Sequence, residues 1–339
     1  MKKIVILLGN GFSIDLISRL KKSEDIDLFS LFRNGDRVPW PKNDIPGFLA
    51  MRYCPNLWTL GARPDMTSKE ANKLIEDIIT CANFAYQKDS LSIGNDNIYS
   101  KAYYELVAYL RCLFIHYNNA VSDVELEEGI EKWGWSELFK NAYDNRDIES
   151  ITFITYNYDV FLERILFLLK IPFNIKGLEK RKTKVNIIKP HGSISFRSKD
   201  LYDRDTYVIS YSGDALGGKL TNLVLDKRID YSIFSKINTM IPPAGDSDRY
   251  PLVWSRKLRE FADNAAENTV ADDVVFLGGL SYCSVDRLEI DRFLSKLNTD
   301  ISINIVNPDI NNTLCSVISS TFKKYIHYTS SNAIGGLFK

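Results

Sequence analysis

Five short segments carry the side chains that could do chemistry: Gly9-Asn10-Gly11-Phe12-Ser13, Thr155-Tyr156-Asn157-Tyr158-Asp159, Pro190-His191-Gly192-Ser193, Gly278-Gly279-Leu280-Ser281 and Asn307-Pro308-Asp309. In the first, glycines let backbone approach a diphosphate, and the N-terminus of a following helix supplies N–H groups and a favourable dipole. In the second, Asn157 and Asp159 stand at alternate positions. An amide orients water or a carboxamide without titrating, and a carboxylate accepts hydrogen bonds from a carboxamide or a ribose. Both residue types also cap helices, a role that suits Asp159 first and suits Asn157 on equal terms with chemistry. His191 is one of three histidines. Set between a proline and a glycine, its imidazole would stand at a site opening, where a titrating group acts as general base or bonds ribose hydroxyls. His116 and His327 read as structural.

Each segment closes an apolar stretch that must position it. Ile4 to Leu8 is a continuous aliphatic run, as expected of a parallel strand buried on both faces, and a helix follows from Phe12 to about Lys21. Further strands are predicted at Ile151–Thr155, Val185–Pro190, Val274–Leu277 and Ile301–Val306, with helices over 159–170, 285–297 and 310–325. This alternation predicts an α/β fold, a doubly wound parallel Rossmann-like sheet, which binds ligands at the carboxyl ends of its strands. Residues 23–149 break the rhythm: five prolines between Pro39 and Pro64 precede two apolar stripes at helical spacing, Ala71 to Ala85 and Tyr103 to Tyr117. They read as a large, mostly helical inserted module. The Rossmann-like domain is then discontinuous, 1–22 and 150–339. Ile241 to Gly245, with two prolines, reads as a surface turn.

Composition narrows the function classes. The 339 residues are 45% hydrophobic and 25% charged, the make-up of an ordinary folded protein. Lysine plus arginine and aspartate plus glutamate are equal at 43 each, so no overall field draws the chain to nucleic acid or to an anionic membrane. Neither is expected as a direct partner, and Lys176 to Lys184, the longest basic stretch, reads as a solvated loop. The five cysteines form no CxxC pair, so neither structural zinc nor dithiol chemistry is expected. The N-terminal apolar run is too short for a signal peptide, which places the chain in the cytoplasm as an expectation. The first turn also departs from the dinucleotide fingerprint of dehydrogenases: Ile14 stands where the third glycine belongs, and no second strand ending in an acidic residue follows.

Taken in this order, the motifs resemble the sirtuin superfamily, whose pattern is a glycine turn with serine, a T-x-N-x-D strand end, an H-G pair, a G-x-S turn and a late strand ending in asparagine. The resemblance covers residues 1–22, 150–215 and 270–325. Deacylases of that superfamily carry two CxxC pairs around zinc, which this chain lacks, and their first turn has alanine where Asn10 stands. With its GNGFS turn, TYNYD strand end, HGS segment and Asp286 after the late serine turn, the chain is similar to the sirtuin-like NAD-cleaving effectors of bacterial anti-phage systems. The resemblance implies a site for NAD+ as substrate, with Gly9, Asn10, Gly11 and Ser13 at the diphosphate and Gly279, Ser281 and Asn307 at the adenosine half. Asp159 would recognise the nicotinamide carboxamide, and Asn157 and His191 would be the catalytic pair. The implied activity is a NAD+ glycohydrolase, regulated through homo-oligomerisation or a separate protein such as a HerA-type ATPase. Alternatives are a NAD-dependent deacylase or ADP-ribosyltransferase, and a non-catalytic sensor of NAD or ADP-ribose.

Overall fold

The computed structural model describes residues 1–88, 97–203, 207–211, 217–226, 229–231, 234–242, 253–282, 287–309 and 312–339. Cys283, Asp286 and Pro243 to Gly245 lie outside these residues. The chain divides into two compact units, one of residues 1–21, 121–190 and 256–339, the other of 22–120 and 191–255.

The first unit is built on a seven-stranded sheet flanked by helices. Its strands are β1 (Lys2–Leu8), β2 (Ile148–Thr155), β3 (Phe173–Ile175), β4 (Val185–Ile188), β5 (Val274–Gly278), β6 (Ser302–Val306) and β7 (Lys324–Tyr328). The order across the sheet is β7-β6-β5-β1-β2-β4-β3 and every neighbouring pair is parallel. This is the doubly wound α/β arrangement. β1 is central because its aliphatic run leaves both faces free of polar side chains. Val5 and Leu7 join Leu277, Ile303 and Ile305 in the core on one side, under Ile290, Leu294 and Ile318. On the opposite face an aromatic cluster forms, in which Phe12 lies 5.2 Å from Trp133 and 5.7 Å from Trp135, ring centre to ring centre. Burying each such ring stabilises the fold by about 1.5–3 kcal/mol.

The chain order reverses at β1. It runs outward through β2, β3 and β4, then returns to β5 on the other side of β1, which makes the β1 and β5 carboxyl ends the switch point where such sheets bind ligands. The two edge strands were not legible. The expected helix over 310–325 is instead a helix of Asn312–Thr321 followed by β7, whose Tyr325 and Ile326 are exposed. β3 has three residues. Strands paired on one side only need no continuous apolar run, so their pattern is weak.

The second unit contains the two helices expected from the apolar stripes, Ser68–Lys88 and Ile98–Asn119, which pack on one another. A short helix, Pro55–Thr59, is capped by the buried carboxylate of Glu105, which accepts from the backbone nitrogens of Asn56 and Leu57. Residues 191–255 add antiparallel pairs, Phe196–Ser198 with Leu223–Leu225 and Leu201–Tyr202 with Phe234–Ser235. The interval 23–149 is therefore not set apart as one helical module. Residues 22–120 are grouped with 191–255, whereas 121–149, including the helix Gly134–Asp144, belong with the sheet.

Candidate functional site

The first unit brings three strand exits together around the turn after β1. Gly9 leads directly into a helix, α1 (Asn10–Arg19), whose first turn the sheet therefore presents at the switch point. Across from it lies the exit of β5. Gly9 donates its N–H to the Gly278 carbonyl at 2.9 Å and Gly11 donates to the Gly279 carbonyl at 2.9 Å. A Cβ on Gly11 would sit 2.6 Å from the Gly279 Cα, and Gly279 itself has φ +60°, with the place of its Cβ 2.2 Å from the Phe12 nitrogen. Side chains at these positions collide with backbone. The three glycines thus serve the mutual approach of two turns, and the N–H groups of Gly9 and Gly11 are already committed. What the first turn of α1 retains toward an anion is its dipole.

On the other side of β1, Asn157 is held by both hydrogens of its amide nitrogen. Nδ2 donates to the Gly9 carbonyl at 3.0 Å and to Ser13 Oγ at 3.0 Å, and the backbone N–H of Asn157 donates to Thr155 Oγ1 at 3.1 Å. A carbonyl oxygen only accepts, so the nitrogen end of the amide must face Gly9. Oδ1 of the half-buried Asn157 then accepts no hydrogen bond among the described residues. Ser13, fully buried, passes its own hydrogen to Asp159 Oδ2 at 2.7 Å, and Asp159 Oδ1 accepts from the Phe161 N–H at 3.1 Å. Asp159 therefore accepts from the first N–H of the helix Phe161–Leu168, whose N-cap position is Val160 with no side-chain cap, and also anchors the Ser13–Asn157 pair. Burial raises the Asp159 carboxyl above the usual range, against the opposing pull of the Lys189 charge, the Ser13 hydroxyl and the Phe161 N–H.

Lys189 completes this network. Its fully buried Nζ donates to the Asp159 backbone carbonyl and to Glu163 Oε1 at 2.8 Å, while the second oxygen of Glu163 is buried without a partner. None of the five motif segments contains it. The available signal was a lysine between Ile188 and Pro190, at the end of a strand otherwise apolar enough to be buried. A charge in such a place needs a designated partner.

Asn307 donates through Nδ2 to the Leu280 carbonyl at 2.8 Å, so its amide shapes the loop after β5. His327 meets the Asn307 carbonyl through Nε2 at 2.8 Å, a structural bond that places a proton on Nε2. Asn10 and Ser281 are exposed, and Gly11 and Gly279 are half-buried. His191 is buried and belongs to the second unit, where its carbonyl accepts from the Ile241 N–H at 2.9 Å and Gly192 pairs with Met240.

Among the described residues no cluster of three or more His, Cys, Asp or Glu could hold a metal ion, and no helix is long and apolar enough to cross a membrane. Cys54, Cys81, Cys112 and Cys315 are free thiols, and burial pushes Cys112 up to about 12. The arrangement offers an oriented acceptor oxygen beside a helix N-terminus, at the switch point of a parallel sheet. The sequence matches no protein-family model and no curated protein.

Proposed function

We propose that the chain is a NAD+ glycohydrolase that cleaves NAD+ to nicotinamide and ADP-ribose. The observation that supports this reading is the fixed amide of Asn157, tied through Gly9 and Ser13 to the buried Asp159 and leaving Oδ1 as an acceptor. In the reaction the bond between the ribose anomeric carbon and the pyridinium nitrogen breaks. The electron pair leaves with nicotinamide, which departs neutral, so orientation and electrostatics do more than acid catalysis. Water bonds to the anomeric carbon and gives up a proton. Oδ1 of Asn157 would accept a hydrogen from that water or from a ribose hydroxyl, with no change of protonation. Ser13, Asp159 and Lys189 act through Asn157 as positioning residues. His191 has the role that the sirtuin resemblance implies, bonding ribose hydroxyls or taking the proton.

The anionic diphosphate would be met by the dipole of α1 and by the exposed Asn10, since the amides of Gly9 and Gly11 have other partners. With the carboxylate oxygens of Asp159 bonded to Ser13 and to Phe161, its part in nicotinamide recognition is indirect. A role as a NAD-depleting effector of anti-phage defence, controlled by self-association or by a separate protein, rests on the resemblance.

The test is nicotinamide release from NAD+ by purified protein, wild type against Asn157→Ala and His191→Ala. Release by the wild type and its loss in Asn157→Ala, with far-UV circular dichroism unchanged, supports the assignment. A fully active Asn157→Ala overturns it.

A further inference from the structure

The second unit holds a partly open cavity of about 60 Å³ against the helix Ile98–Asn119. A single water needs about 10–15 Å³ measured this way, so the space takes a few waters or one small solute. Part of its wall is apolar, from Val107, Ile115, Ile237 and Met240, and Arg111 and Asn238 are among its polar lining side chains.

Arg111 is anchored at one end only. Its Nη1 donates to the Phe196 carbonyl at 3.2 Å and to Thr239 Oγ1 at 3.3 Å. Nε is buried without a hydrogen-bond partner, and Nη2 makes no hydrogen bond among the described residues. The Nε–Nη2 edge is the fork that grips two oxygens of one anion at once. Asn238 is fixed by its backbone, whose carbonyl accepts from Trp254 Nε1 at 3.0 Å, and its Nδ2 is likewise buried without a partner. Both orphaned buried atoms in this wall are therefore donors. The carboxylates whose charge reaches Arg111, those of Asp226 and Asp230, make no hydrogen bond to it, and Asp226 is held by Arg197 at 2.9 Å. A water accepts at most two hydrogen bonds, whereas a carboxylate or phosphate brings enough lone pairs and the missing negative charge.

We propose that this cavity is a binding site for a small anion with forked oxygens, its size and aliphatic wall favouring a short-chain carboxylate, gripped by the Nε–Nη2 edge of Arg111 and by Asn238 Nδ2. The site is independent of the NAD+ reading, since it stands on residues that reading does not use.

The test measures melting temperature and calorimetric binding for the full chain with acetate, propionate or phosphate, each against chloride at constant ionic strength. Acetate or propionate raises the melting temperature and binds measurably. Arg111→Lys, which removes the fork, and Asn238→Asp, which places a carboxylate where the anion would sit, each weaken binding by about tenfold or more, the equivalent of one charge-assisted hydrogen bond. Phosphate binding with the same sensitivity to both substitutions supports the anion site and assigns it to phosphoryl ligands. No response beyond chloride, or a response unchanged in Asn238→Asp, overturns the proposal. Asn238→Asp is nearly isosteric, so it decides the matter if Arg111→Lys does not fold.

Discussion

The amide nitrogen of Asn157 donates to the carbonyl oxygen of Gly9 at 3.0 Å, joining positions 148 residues apart in the chain. The bond turns one end of a polar side chain into a structural tie and leaves the other end as an acceptor. It also couples the exit of β2 to the start of α1, where Tyr156 reinforces it by donating its N–H to the Leu8 carbonyl at 3.3 Å.

Ser13→Ala removes both the acceptor for Asn157 Nδ2 and the donor to Asp159 Oδ2 at a fully buried position. The expected loss of stability is about 1–3 kcal/mol, the range for a buried group left unsatisfied, measured by urea unfolding. Nicotinamide release should fall as well, because the Asn157 amide then keeps one tie of two. Unchanged stability would mean that water replaces the hydroxyl.

Lys189→Met strands the Glu163 carboxylate in a mostly buried position and releases the Asp159 carbonyl. Breaking a buried pair from one side is expected to destabilise by about 3–5 kcal/mol. The double variant Lys189→Met with Glu163→Leu should recover much of that loss, since no charge is left unpaired. Equilibrium unfolding of the two single variants and the double variant gives the coupling. A double variant no more stable than Lys189→Met would place the effect in the Asp159 carbonyl alone.

Asp159 sets a pH dependence whose sign follows from its raised pKa. The folded chain holds the proton to higher pH than the unfolded chain, whose carboxyl titrates near 3.8. Between the unfolded and folded values the native state binds more protons, so this residue's contribution to stability is greatest below the unfolded value and declines as pH rises through the folded one. In Asp159→Asn the decline is absent. Subtracting the melting curves of the variant from those of the wild type across acidic to neutral pH should give a difference that falls with rising pH; a difference that climbs instead would refute the direction.

Gly11→Ala puts a methyl group 2.6 Å from the Gly279 Cα, where backbone rather than a flexible side chain must yield. Overpacking of this kind is expected to destabilise by about 1–3 kcal/mol. Gly336→Ala, at a position where a Cβ meets nothing within 4 Å, serves as the control and should unfold at the wild-type denaturant concentration. Equal midpoints for the two variants would contradict the close approach of the two turns.

The sequence by itself determined the central strands and where they end. Runs such as Ile4 to Leu8 and Val274 to Leu277 have no polar face, so they can only lie inside a parallel sheet, and glycine or asparagine after each run marks the exit. It likewise determined the long helices Ser68–Lys88 and Ile98–Asn119 through their apolar stripes. The edge strands β3 and β7 escaped notice because half of their pairing groups face no neighbour, which relaxes the demand for an apolar run. Only the tertiary structure decided that residues 121–149 join the sheet while 191–255 join residues 22–120.

Tertiary structure also decided what the motif residues do. Gly9, Gly11 and Gly279 look from sequence like a ligand cradle, yet the approach of two turns from opposite ends of the chain gives their backbones to each other. Asp159 looks like a ligand contact or a cap, and the fold gives its carboxylate to Ser13 and to the Phe161 N–H, so that it orients Asn157. Lys189 has no local signal beyond an unexpected charge, because its partners, the Asp159 carbonyl and Glu163, are fixed by the packing of β4 against the exit of β2. Local sequence specifies which side chains stand at the strand ends. Which of their hydrogen-bonding groups remain open depends on contacts between distant segments, and those form only when the sheet closes around β1.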